Sequence, residues 1–166
     1  MNKNLCFLIM TLIFLVPISY SLINMNSELT VSRLLLNNNN TKLIVFSIFF
    51  ALVIFTLEYE KLRKNRFSYY FMYFFGMSCL LFCFFNPKDK CHFIYAIVAF
   101  FSIVAWLMTN AKNDLFLTSM LFLQLTCSVV LFNETMSKKN PNVFKEEIIF
   151  LLIMFVSYLY IHFKNK

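Results

Sequence analysis

LCFLIMTLIFLVPISYSLI, residues Leu5 to Ile23, is the stretch that decides the fold, because it carries no charged side chain over a bilayer's width. About 20 apolar residues, each rising 1.5 Å in a helix, cross the roughly 30 Å hydrocarbon layer. No water is available there to satisfy backbone N–H and C=O groups, so such a stretch crosses as a helix. The same residues have the outline of a signal peptide: Lys3 ahead, an apolar run to Val16, then Ser19-Tyr20-Ser21 as a small-x-small site. Apolar character continuing past Pro17, with Tyr20 in the site itself, favours a retained helix.

Working outward, five more runs of this kind follow. The spans are predicted near 5–23, 43–58, 67–85, 92–109, 115–132 and 147–163. Glu58 to Lys64 closes the second, Asn86-Pro87 stops the third, and Trp106 reads as an interfacial anchor at the far end of the fourth. Between the first two, Ser27 to Leu36 reads as a short interfacial helix with Ser27 as N-cap and Asn37 to Asn40 as its terminator. Asn133 to Lys145 is a polar connection containing Pro141, and no internal repeat is visible. The expectation is an all-α, polytopic helix bundle forming one integral membrane domain over residues 1–166.

Composition agrees. The chain is 60% hydrophobic and 14% charged, with a mean hydropathy of +0.71. Soluble domains carry about a quarter charged residues, so this chain cannot coat a water-facing surface. The net charge of +7 does not point to nucleic acid, because the basic residues sit in short connections between apolar runs. The five cysteines have neither redox CxxC nor zinc spacing, and Cys79 and Cys83 read as small hydrophobes one helical turn apart. No glycine-rich phosphate loop, paired histidines or nucleophile beside a base is present, so no cofactor or metal is expected.

Six crossings put Lys3, Lys61, Arg63, Lys64, Arg66, Lys112, Lys164 and Lys166 on one side. The tight cluster from Lys61 to Arg66 favours that side, with both termini, as cytoplasmic. Ionisable groups at bilayer depth are costly and mark function, and here the candidates stand at span ends. His92 opens the fourth span, Glu146 and Glu147 open the sixth, and Glu28 and Arg33 lie in the first connection. All five fall on the non-cytoplasmic side, where they form a candidate polar cluster for a head group or small pocket. Carboxylates near helix N-termini also favour the helix dipole, which is the plainer role for Glu146 and Glu147. Within the bilayer, Gln124 and Ser128 share a helix face and read as hydrogen-bonding glue between helices. Thr109, Asn110 and His162 are assigned to interfaces, and Tyr69, Tyr70, Tyr73, Tyr158 and Tyr160 to membrane-belt positions.

Three features together resemble the Frag/DRAM/Sfk-type six-span membrane proteins. Pro17-Ile18-Ser19-Tyr20 leads into the polar connection containing Ser27-Glu28-Leu29. Gly76 and Phe84-Phe85-Asn86-Pro87 precede His92-Phe93-Ile94-Tyr95-Ala96, and Glu146-Glu147 opens the last span before Tyr158. Tyr95 stands where that family usually has glycine, and no tryptophan follows Glu147. The resemblance implies a six-helix bundle of endomembranes or the plasma membrane concerned with lipid handling, and no catalytic residue. The leading expectation is therefore a non-enzymatic factor that recognises membrane lipids or a protein partner. A structural subunit of a larger membrane complex or viral envelope, and a small membrane enzyme or transporter, are the alternatives.

Overall fold

The computed structural model describes residues 2–24, 30–36, 38–86, 89–136 and 143–164. Among them are seven helices and no strand: α1 (Lys3–Ile23), α2 (Val31–Leu36), α3 (Asn39–Arg63), α4 (Arg66–Phe82), α5 (Lys90–Asn110), α6 (Leu115–Met136) and α7 (Phe144–Lys164). Five of these, α1, α3, α5, α6 and α7, are long and apolar enough to cross a membrane. The outer surface is oily, with Phe101 71% and Phe122 65% exposed, beyond what water tolerates as a continuous coat.

The helices reach past the apolar runs because polar residues cap them. The Asn38 side chain accepts from the Asn40 N–H at 3.0 Å, so α3 begins within the asparagine run expected to end the preceding helix. At its other end α3 continues through Glu58–Arg63, where Arg63 pairs with Glu60 one turn back. The Asn65 side chain starts α4 by accepting from the Ser68 N–H, and Asp114 starts α6 by accepting from the Leu117 N–H. Because the chain holds a single glycine, left-handed backbone falls on Lys64 (φ 59°) and Asn113 (φ 57°) among the described residues. The sequence extends the third run to Phe85, but α4 stops at Phe82, where Phe84 N–H bonds Leu81 O and Phe85 N–H bonds Phe82 O in a tight turn. Of the short helix expected from Ser27, α2 begins at Val31, and Ser27 lies outside the described residues.

Long helices joined by short connections alternate in direction. Phe7 of α1 stacks on His162 of α7 at 3.8 Å, so both described ends of the chain lie at one end of the bundle. The larger core cluster runs along the bundle from Phe7, Tyr59, Trp106 and Ile161 at this end to Ile18, Leu131 and Val143 towards the other. The smaller cluster, at the opposite end, buries Val31, Leu35 and Leu36 of α2 against Val45, Cys83, Phe144 and Ile148. α2 is thus packed into the bundle rather than laid on its surface.

α3 and α4 approach closely at Gly76. A Cβ there would meet both γ-methyls of Val53 at 2.8 Å, and a β-branched side chain has little freedom to yield. Gly76→Leu is expected to lower stability by about 1–3 kcal/mol through overpacking, read as thermal unfolding in detergent micelles. Val53→Ala in the same chain should return part of that loss; an unaltered melting temperature in Gly76→Leu would disprove the close approach.

Candidate functional site

Residues of both core clusters wall a cavity of about 360 Å³, lined by six of the helices and Leu131 of α6. Its deep wall is apolar: Phe14 from α1, Leu52 from α3, Met72 and Gly76 from α4, Ile103 from α5 and Phe150 from α7. Along α5 the lining runs from His92 to Ile103, about 16 Å of helix. Most of the polar lining gathers at the end away from the termini, where Ser21, Thr30, Ser32, Arg33, His92 and Glu147 face it, and Thr56 of α3 adds one hydroxyl deeper in the wall. That size is within the roughly 300–1,000 Å³ of small-molecule sites, and apolar walls with a few convergent polar groups are their usual make-up.

The sequence-derived cluster is partly assembled here. Arg33, His92 and Glu147 line this one cavity without bonding one another: Glu147 and His92 each take a backbone partner, and the Arg33 backbone N–H donates to Thr30 Oγ1. Glu147 Oε2 accepts the Val31 N–H at 2.5 Å and so fastens the first turn of α2 to α7. The His92 ring, 6% exposed, meets Phe82 O through Nδ1 at 3.2 Å. A carbonyl only accepts, so Nδ1 carries the proton and a neutral ring leaves Nε2 as an acceptor. Glu146 does not line the cavity; its carbonyl accepts from Cys127 Sγ, and its Oε2 is buried without a partner. Glu28 lies outside the described residues. Of the intramembrane pair, Gln124 is fully buried and donates from Nε2 to Phe150 O at 3.3 Å, tying α6 to α7. Ser128 instead donates within its own helix, to Gln124 O at 2.7 Å. Among the polar wall groups not anticipated, with Thr56, is Ser21 Oγ, wholly buried beside the cavity and without a hydrogen-bond partner.

A second constellation closes the opposite end. Glu60 has no exposed surface, and four side chains donate to its carboxylate. Arg63 Nη1 reaches both oxygens at 2.9 Å, Ser68 Oγ reaches Oε2 at 2.7 Å, and Trp106 Nε1 and Tyr158 OH reach Oε1 at 3.1 and 2.7 Å. Arg63 Nη2 also donates to Asn110 Oδ1 at 2.5 Å, and Tyr59 OH shares a hydrogen bond with His162 Nδ1 at 3.1 Å. Trp106 stacks on Tyr158 at 4.3 Å. These positions correct the sequence reading. Trp106, Tyr158 and His162 are 0%, 4% and 3% exposed, inside the bundle rather than in an aromatic belt or interface. Glu60, read as part of a polar segment closing a span, is the centre of a buried network.

At the same end, in the turn between α5 and α6, Asp114 pairs with Lys164 and accepts from Tyr160 OH. The Lys164 ammonium holds the Asp114 carboxyl below its ordinary range against the opposing effect of burial, with the Leu117 N–H and Tyr160 hydroxyl assisting.

The chain matches no family model, no curated protein and no solved structure.

Every lone pair that Glu60 uses is met from within the protein, and that carboxylate is the common acceptor for α3, α4, α5 and α7. Glu60→Ala strands the Arg63 guanidinium, the Trp106 N–H and the Tyr158 hydroxyl in an apolar surround, a loss of about 3–5 kcal/mol. The check is thermal unfolding of detergent-solubilised protein, with Glu60→Gln, which keeps an acceptor, expected between wild type and Glu60→Ala. Equal melting temperatures for all three would show that the network contributes nothing.

Proposed function

We propose that the protein is a six-span integral membrane protein of endomembranes or the plasma membrane, with both termini cytoplasmic. In this reading it is a non-enzymatic factor that holds a membrane amphiphile, chain in the apolar cavity and head at the polar mouth. The observation that carries it is the cavity itself: walls that are apolar apart from Thr56, and polar groups from Ser21, α2, His92 and Glu147 gathered at one end. The apolar outer surface supports placing that cavity within lipid.

For the sixth span the candidate is α4, whose 17 residues make about 25 Å, short of a full crossing but bracketed by two long apolar helices. Alternation of direction then sets the mouth on the side opposite the basic cluster Lys61 to Arg66. Kinship with the Frag/DRAM/Sfk-type proteins belongs to the proposal on its sequence motifs alone.

Ala96 lines the cavity one turn below His92, where a larger side chain would occupy the space. Native mass spectrometry of protein released from lipid nanodiscs should find a bound lipid or fatty-acid adduct, and Ala96→Phe should weaken it about tenfold without loss of folding. A wild-type protein free of amphiphile would end the reading.

Orientation has its own test in Cys91, the exposed cysteine among those described. In sealed vesicles with the cytoplasmic face outward, an impermeant maleimide should label Cys91 only after permeabilisation. Immediate labelling would invert the topology.

A further inference from the structure

We propose that the cavity mouth selects amphiphiles with an anionic oxygen head group, a phosphate or a carboxylate, and that Arg33 binds it. This rests on the reading above that the cavity holds an amphiphile's chain.

Among the described residues two charged side chains line the cavity, Arg33 and Glu147, and they are not equivalent. Glu147 is engaged: its Oε2 accepts the Val31 N–H, an attachment that keeps α2 against α7. Arg33 is placed by its backbone, whose N–H donates to Thr30 Oγ1 at 3.1 Å, while its guanidinium makes no direct ion pair among the described residues and feels the Glu147 carboxylate only at longer range. A guanidinium offers five N–H donors in a rigid fork that matches a carboxylate or phosphate two bonds at a time. Left half-buried beside an apolar cavity, it is complementary to an anion brought there by an apolar tail.

Ser21 supplies an independent indication. Its hydroxyl is wholly buried, lines the cavity and has no partner, although a serine in a helix ordinarily donates to the carbonyl four residues back. An unmet hydroxyl in an apolar surround destabilises the fold, and an oxygen of a bound head group or its linkage removes that cost. Arg33 from α2 and Ser21 from α1 therefore address one ligand from two walls. A cationic head would meet the unpaired guanidinium instead, and a neutral head would leave it unmatched.

The test uses full-length protein in phosphatidylcholine nanodiscs and four probes of equal chain length: an alkyl phosphate, an alkyl carboxylate, an alkyl glucoside and an alkyltrimethylammonium. Both anions should bind wild type about tenfold more tightly than the glucoside, with the ammonium weakest. Arg33→Gln should erase that ranking while leaving glucoside affinity unchanged, which also shows that the variant is folded. Glu147→Gln, which keeps an acceptor for the Val31 N–H, should preserve the preference for anions. Equal binding of all four probes, or a preference that survives in Arg33→Gln, overturns the head-group assignment and leaves the amphiphile reading standing. Binding of no probe overturns both. Displacement of the alkyl phosphate by inorganic phosphate at similar concentration would make this a site for a soluble anion, and would overturn the assignment of an amphiphile.

Discussion

A carboxylate with no exposed surface, Glu60, is the constraint on which the rest of this bundle depends. Between helices in lipid, apolar burial discriminates weakly, because lipid tails are as oily as leucine, and geometry is set by packing and by polar pairing. Glu60 imposes the strongest such pairing here. Its donors come from its own helix one turn on, from the start of α4, from the end of α5 and from the end of α7. Only one relative height of those four helices satisfies all of them. The two-residue connection Lys64-Asn65 contributes by folding α4 back at once, which brings Ser68 level with Glu60.

With one end knotted by polar side chains, the other end is organised differently. There α2 is inserted between the long helices, its apolar side chains buried in the second core cluster and its first turn fastened by Glu147. Between the two ends the lining includes small residues, Gly76, Ala96 and Ala99, at heights where larger side chains would meet. The molecule is thus closed at its termini end and hollow towards the opposite one, and the polar groups around that hollow, apart from Thr56, are those on helix ends and in or beside α2.

What the sequence revealed and what it concealed divide along physical lines. Run length is a local property, so each long helix was legible, and its bounds shifted where side chains such as Asn38 or Arg63 extended it or where, as at Phe82, a tight turn cut it short. Arg33, His92 and Glu147 were legible as neighbours because alternate crossings put the ends of successive spans on alternate sides, whatever the packing. Trp106 and Tyr158 were misplaced for an equally definite reason. An aromatic ring with one polar atom suits a membrane interface and a buried hydrogen bond alike, and nothing local distinguishes them. Their partner Glu60 lies 46 and 98 positions away and sits within a highly charged segment that reads as solvated. One-turn spacings were present, Glu60 with Arg63, Trp106 with Asn110 and Tyr158 with His162, but they become a signal only when those helices are known to meet at one end. Ser21 gave no signal at all, since its importance lies in a bond it does not make.

The unequal helix lengths connect this asymmetry to the membrane. α3 has 25 residues, about 37 Å, against 17 residues and about 25 Å for α4. They start level at Lys64-Asn65, so α3 overhangs α4 by about 12 Å at the mouth end. α4 must stop there, and the chain folds over at Cys83 to Asn86, where Lys42 of α3 donates to Phe84 O and His92 of α5 meets Phe82 O. That overhang gives α2 a surface to pack on, with Val45 of α3 and Cys83 joining its cluster. A bilayer is about 30 Å of hydrocarbon within 40–45 Å of total thickness, so a helix of α3's length extends out of the oil into the head-group layer. On the reading proposed above, the mouth residues at that overhanging end would lie at the level of a lipid's polar head, and the cavity beneath them at the level of its chain.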